Sequence, residues 1–203
     1  MLYKKNQSPT LSDSLFKNPT SEYRSAPFWS WNYSLEKDEL LRQIDIFNEM
    51  GFGGFHMHVR TGLKTKYLSD EFMSLVKSCV DKAKDKEMLA WLYDEDRWPS
   101  GFAGGLVTKD ERYRERYIHF TPERRNNGKL LVCYDIELDN DGYLKSYKII
   151  GENDDAEHDK WYVYQECFET DSWHNNQTYV DTLNPDAIKK FVEVTHETTS
   201  RCV

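Results

Sequence analysis

The sequence predicts a parallel α/β domain: about the first four strand-helix units of a partial (β/α)8 barrel of the TIM type, carrying an antiparallel β insertion. Three observations lead there. From residue 26 onward, short apolar runs alternate with stretches of helical periodicity. Polar and charged side chains collect at the C-terminal ends of those apolar runs, where barrel loops form a concave face. Between residues 130 and 168 the pattern changes to strand-like alternation broken by an Asn-Asp-Gly turn.

The elements follow in order. Residues 1–25 are polar, with Ser, Asn and Pro scattered through them, and read as an N-terminal leader. Residues 26–32 form a short aromatic strand. Ser34 is the expected N-cap of a helix whose Leu40, Ile44 and Phe47 recur at helical spacing, with Gly51 as its C-terminal stop. Residues 52–60 alternate: Phe55, Met57 and Val59 fall on one face, and Gly54, His56, His58 and Arg60 on the other. Ser69 is the N-cap of a second helix, striped by Phe72, Val76, Cys79, Val80 and Ala83. A continuous apolar strand over 89–93 then runs into Asp94, Glu95, Asp96, Arg97 and Trp98.

Residues 26–120 are thus the first part of the barrel and 121–178 the β-rich insertion, with strands at 130–138, 143–150 and 161–168. Residues 179–203 continue the barrel, with a fourth short strand at 179–182 and a helix opened by Asn184 and Pro185. A complete barrel needs eight units and about 250 residues. Four units in 203 residues lead to the expectation of a truncated one. Nucleotide-binding doubly wound folds are a minor alternative, because neither GxGxxG nor GxxxxGK[ST] occurs.

Composition excludes several classes of function. With 27 basic and 35 acidic side chains the formal charge is -8, which repels phosphate backbones and anionic lipid, so neither nucleic acid nor membrane is an expected partner. Residues 1–20 lack the apolar run of a signal peptide, and a cytoplasmic location is expected. Cys79, Cys133, Cys167 and Cys202 are widely spaced and read as reduced structural thiols. The 29 aromatic residues (13 Tyr, 10 Phe and 6 Trp) suit both core packing and contact with sugar faces.

Four strand ends carry candidate site residues. These are Trp31 and Asn32; His56, His58 and Arg60; Tyr93, Asp94, Glu95, Asp96 and Trp98; and Asp181 with Asn184. Strand alternation sends Asp94 and Asp96 one way and Glu95 the other. Asp94 and Glu95 are candidates for acid-base work, since adjacent carboxylates raise one another's pKa unless compensated. A solvated turn is the competing reading. The His56-x-His58 pair has the spacing of a metal-ligand pair, but no further His or Asp completes it, so hydrogen bonding to a polyol is preferred and no metal is assigned. Asp139 to Gly142 lacks calcium-loop spacing and reads as a hairpin turn. No GxSxG elbow occurs.

Four segments, PFWSWN (27–32), LLRQIDIFNEMGFGGFHMH (40–58), WLYDEDRWPSGFAGG (91–105) and DTLNPDAIKKFVEVTHE (181–197), together resemble the N-terminal half of the catalytic domain of glycoside hydrolases related to family 106, the α-L-rhamnosidase-type enzymes. The resemblance implies hydrolysis of glycosidic bonds on a (β/α)8 barrel by two carboxylic acids, with inversion and calcium assistance. It also implies that Trp31, Asn32, His56, His58, Tyr93, Asp94, Glu95 and Trp98 line a sugar pocket. The catalytic glutamates belong on later strands of such a barrel, which leads to the expectation of a fragment inactive by itself. The expected partners are a carbohydrate, and a second chain or copy completing the barrel; no cofactor is expected in this chain. Two alternatives stay open: a metal-dependent hydrolase of the amidohydrolase kind using His56 and His58, and a non-catalytic carbohydrate-binding module.

Overall fold

The computed structural model describes residues 10, 12–96, 100–170 and 172–202. They divide into two compact units, one holding the described residues through Val107 together with those from Ile188 onward, the other spanning Thr108–Ala187.

The first unit opens with a short helix α1 (Asp13–Lys17) and is built on three parallel strands: β1 (Phe28–Trp31), β2 (Gly54–Val59) and β3 (Leu89–Asp96), in that spatial order. Helices α2 (Lys37–Glu49) and α3 (Asp70–Asp85) connect them. The Ser69 hydroxyl accepts a hydrogen bond from the Phe72 amide at 3.2 Å, Asp70 and Glu71 stand in the first turn of α3, and Lys82 and Lys84 in its last, each matching the helix dipole. Ser34, by contrast, caps nothing: α2 begins later, after Glu36, which makes no side-chain cap. Gly51, at φ +85°, supplies the left-handed residue that ends α2.

Alternation along the strands sorts the two faces. Trp29 and Trp31 from β1 and Phe55, Met57 and Val59 from β2 pack with Ile44 of α2 and Phe72, Val76 and Cys79 of α3 to make the core. Edge-to-face contacts of Trp29 with Trp31 at 5.5 Å and of Trp31 with Phe72 at 5.6 Å fill it. At Gly54 the chains run so close that a Cβ would lie 2.3 Å from the Leu89 carbonyl oxygen, so glycine sets the approach of β2 to β3. Burial pushes the Cys79 thiol up to about 12. It should therefore hold about a thousandfold less thiolate than an ordinary thiol at pH 8. Iodoacetamide is expected to leave Cys79 unmodified in the native chain and to alkylate it in urea, read by peptide mass spectrometry; rapid native alkylation would contradict this packing.

The second unit is a four-stranded antiparallel sheet of β4 (Arg116–Thr121), β5 (Lys129–Leu138), β6 (Leu144–Ile150) and β7 (Asp159–Cys167), in the order β4-β7-β5-β6. The β5–β6 connection is a tight hairpin in which an Asp139 carboxylate oxygen accepts hydrogen bonds from the amides of Asp141 and Tyr143.

The expectation of a partial (β/α)8 barrel is overturned. The described residues form a three-stranded parallel sheet and a separate four-stranded antiparallel one, and no fourth strand extends the parallel sheet. Residues 179–182 were its expected source, but Val180 forms an isolated antiparallel bridge with Arg114, and the Asp181 amide donates to the Tyr113 carbonyl at 2.8 Å. A short run of alternating residues can satisfy its backbone against any free partner, and here it does so within its own unit. Helix α4 (Pro185–Val192) follows, then a π-helical turn Glu193–Glu197 and α5 (Thr198–Cys202). No described helix is long and apolar enough to cross a membrane.

Candidate functional site

The sheet face opposite the helices carries Phe28 from β1, His56 and His58 from β2, and Trp91, Tyr93 and Glu95 from β3. His58 and Glu95 form its centre, each with about 1% of its side chain exposed, and His58 Nε2 lies 2.9 Å from Glu95 Oε1. A carboxylate can only accept, so Nε2 carries the proton and donates. The second oxygen of Glu95 accepts from the Ser100 hydroxyl at 2.5 Å. His58 Nδ1 is buried and has no hydrogen-bond partner among the described residues. Phe28 and Tyr93 flank the imidazole at centroid distances of 4.2 and 4.6 Å, and His56 stacks on Trp91 at 4.7 Å with the rings 12° from parallel.

An irregularity in β3 creates the pair. Met57 is level with Leu92, but Val59 is level with Asp96, so β3 carries two extra residues over that interval. Uniform alternation would set Tyr93 opposite His58; the bulge lets Glu95 reach it as well. It also buries both Glu95 and Asp96, which simple alternation would separate onto opposite faces. Beside them, burial together with the negative charges of Asp96, Asp94 and Glu95 pushes the Tyr67 phenol strongly up, which keeps it neutral. Asp94 is half-exposed and pairs with His196 Nε2 at 3.2 Å.

The structure thus brings His56, His58, Tyr93 and Glu95 together on one face. Trp31 lies on the other, in the helix-facing core, with its indole N–H buried and without a hydrogen-bond partner among the described residues. Asn32 is exposed just after β1, Asp181 and Asn184 belong to the second unit, and Trp98 and Arg97 lie outside the described residues. Phe28, Trp91 and Ser100 contribute to the site without having stood out in the sequence. The alternation of β1 places Phe28 on the face of the histidines, and that signal was available; the Ser100 contact depends on the path of a loop and was not.

His56 and His58 gain no third ligand among the described residues. Among the described residues, the one group of three metal-capable side chains is Asp135, Glu157 and His158 in the second unit. There Asp135 is already engaged by the amides of Glu157 and His158, each at 3.0 Å. Burial disfavours its charge, but those two backbone donors together with the His158 side chain outweigh burial and hold its carboxyl below the usual range.

No protein-family model matches the chain, and no curated protein matches it. Among solved structures, the chain is distantly similar to a rhamnosidase from Novosphingobium sp. PP1Y, with TM-score 0.44 and 14% identity over 66% of this chain. The matched region spans 17% of that enzyme's length.

Proposed function

We propose that the chain is glycoside hydrolase-like, of the α-L-rhamnosidase type, and that the histidine-bearing face of its parallel sheet contacts a sugar. The observation that supports this reading is the His58–Glu95 pair, its imidazole packed against the Phe28 and Tyr93 rings, beside the His56–Trp91 stack. Phe28, 55% exposed, offers an apolar surface to the C–H face and methyl group of a deoxy sugar. His56 and the half-exposed Asp94 offer polar partners to its hydroxyls. The four family-like segments add to the reading, since three of them supply strands β1 to β3.

Bond cleavage by inversion needs an acid and a base about 6.5–9.5 Å apart with a water between them. Glu95 is buried and hydrogen-bonded on both oxygens, and Asp94 is paired with His196, so these carboxylates are assigned to positioning and binding. The 203-residue chain is expected to bind L-rhamnose saturably by NMR titration and to release no nitrophenol from p-nitrophenyl α-L-rhamnoside. Phe28→Ala should weaken binding about tenfold, or ~1.4 kcal/mol. Absence of binding would overturn the reading, and turnover lost in Glu95→Gln would turn a binding role into a catalytic one.

A further inference from the structure

The second unit holds a cleft of about 850 Å³ where the start of β4, the start of β5 and the end of β7 meet. Five cationic side chains line it, Arg112, Arg114, Arg116, Arg125 and Lys129, in a chain whose formal charge is -8. Two of them are committed: Arg112 to Asp110 at 2.6 Å and Arg125 to Glu166 at 3.2 Å. Among the described residues, the Arg114 side chain donates to the Thr108 carbonyl at 2.8 Å. Arg116 makes a long contact with the Gln165 side-chain oxygen at 3.5 Å. Arg114, Arg116 and Lys129 form no ion pair among the described residues.

The carboxylate deepest in the cleft cannot neutralise them. Glu166 Oε2 accepts from the Tyr117 hydroxyl at 2.7 Å and lies 3.2 Å from His119 Nδ1, while Arg125 takes Oε1. The Tyr117 hydrogen bond, followed by His119 and Arg125, holds this carboxyl below its usual range despite burial, so Glu166 stays ionised and fully engaged. Arg125 also contacts His119. The cleft is left with cations free to meet a ligand and with two rings, Tyr117 and Phe168, at 4.7 Å.

We propose that this cleft binds an acidic saccharide, with uronate carboxylates held by Arg114, Arg116 and Lys129 and a sugar face laid against the half-exposed Phe168 ring. Guanidinium groups match carboxylates with two parallel hydrogen bonds, and an aromatic face suits the C–H side of a sugar. The volume falls in the range of sites for extended small ligands, larger than a lone ion needs. Glu111 and Glu169, exposed on the same cleft and without ion pairs among the described residues, intersperse the cations. That pattern favours an anion whose charges are separated by sugar rings and penalises a dense polyphosphate.

The cleft lies apart in sequence from the histidine face, so its occupancy does not depend on the rhamnoside reading. The test is calorimetric titration of the full chain with tri-galacturonate and with its methyl ester, the same trimer without charge. Saturable binding of the acid, at least tenfold weaker binding of the ester, and weakening of the acid complex as salt rises are expected. Arg116 and Lys129 are exposed and outside the core, so the Arg116→Ala/Lys129→Ala double variant should keep the parent melting temperature and lose at least tenfold in affinity. Equal binding of acid and ester, no binding of either, or displacement of the trimer by an equal concentration of inorganic phosphate would each overturn the proposal.

Discussion

Glu95→Ala is expected to destabilise the chain by about 3–5 kcal/mol, the range for removing one member of a buried pair. The substitution leaves the His58 Nε2–H and the Ser100 hydroxyl, both now directed at Glu95, without an acceptor in a site closed to water. It also empties the volume of a side chain that is about 1% exposed. Total stabilities of small proteins run at about 5–15 kcal/mol, so the loss takes a large share. Glu95→Gln separates the two contributions. Its amide oxygen can still accept from His58 and its NH2 group can donate to Ser100, so a loss of about 1–2 kcal/mol is expected for the weaker uncharged hydrogen bonds. Urea midpoints of the parent and the two variants measure this. Equal midpoints for alanine and parent would show that the pair contributes nothing to the fold.

Phe55→Ala should cost a comparable amount, about 3–5 kcal/mol, by a different route. Phe55 is fully buried on the helix-facing side of β2, edge-on to Trp29 at 5.3 Å and tilted against Phe47 at 6.1 Å. Its loss removes apolar burial and leaves a cavity that a sheet clamped by two helices cannot collapse around. Phe28→Ala, an aromatic truncation of the same size on the opposite face, is the control. With 55% of Phe28 exposed it should cost about 1 kcal/mol or less in stability, while weakening sugar binding as described above. If the two phenylalanines were equally costly to remove, the assignment of faces would be wrong.

That assignment of faces is where sequence and structure agree most closely. The period-two pattern of Phe55, Met57 and Val59 against His56 and His58 is local and is realised in β2, and the stripe from Phe72 to Ala83, with Ser69 before it, is realised in α3. The Asp139–Gly142 turn is likewise local chemistry, closed by an aspartate carboxylate on the amides two and four residues ahead.

Partnership between distant segments was not legible. Residues 179–182 carry the same alternation whether they join the parallel sheet or bridge Arg114, and only the available edge decides. The barrel expectation failed at that point. The site shows the same division. Strand periodicity places His58 on the polar face, but it sends Glu95 to a side fixed by counting in twos, and a bulge changes the count. The five cations of the cleft all come from residues 112–129, but Glu166, Phe168 and Glu169, which complete its lining, lie well downstream in sequence, and only the pairing of β4 and β5 with β7 joins the two stretches.

By itself, then, the sequence determined what is decided within a few residues: the Ser69 cap of α3, the glycine stop of α2, the faces of β2, the hairpin turn and the stripe that becomes the core. Each rests on hydrogen bonds or side-chain directions repeating every two or three to four residues. The tertiary structure alone decided that three parallel strands and a separate antiparallel sheet replace the expected barrel, that Glu95 meets His58, and that the basic stretch 112–129 meets Glu166 and Phe168 in one cleft. These depend on which strand edge and which apolar face each segment finds when it buries its surface, a choice between competing long-range partners that no local period encodes.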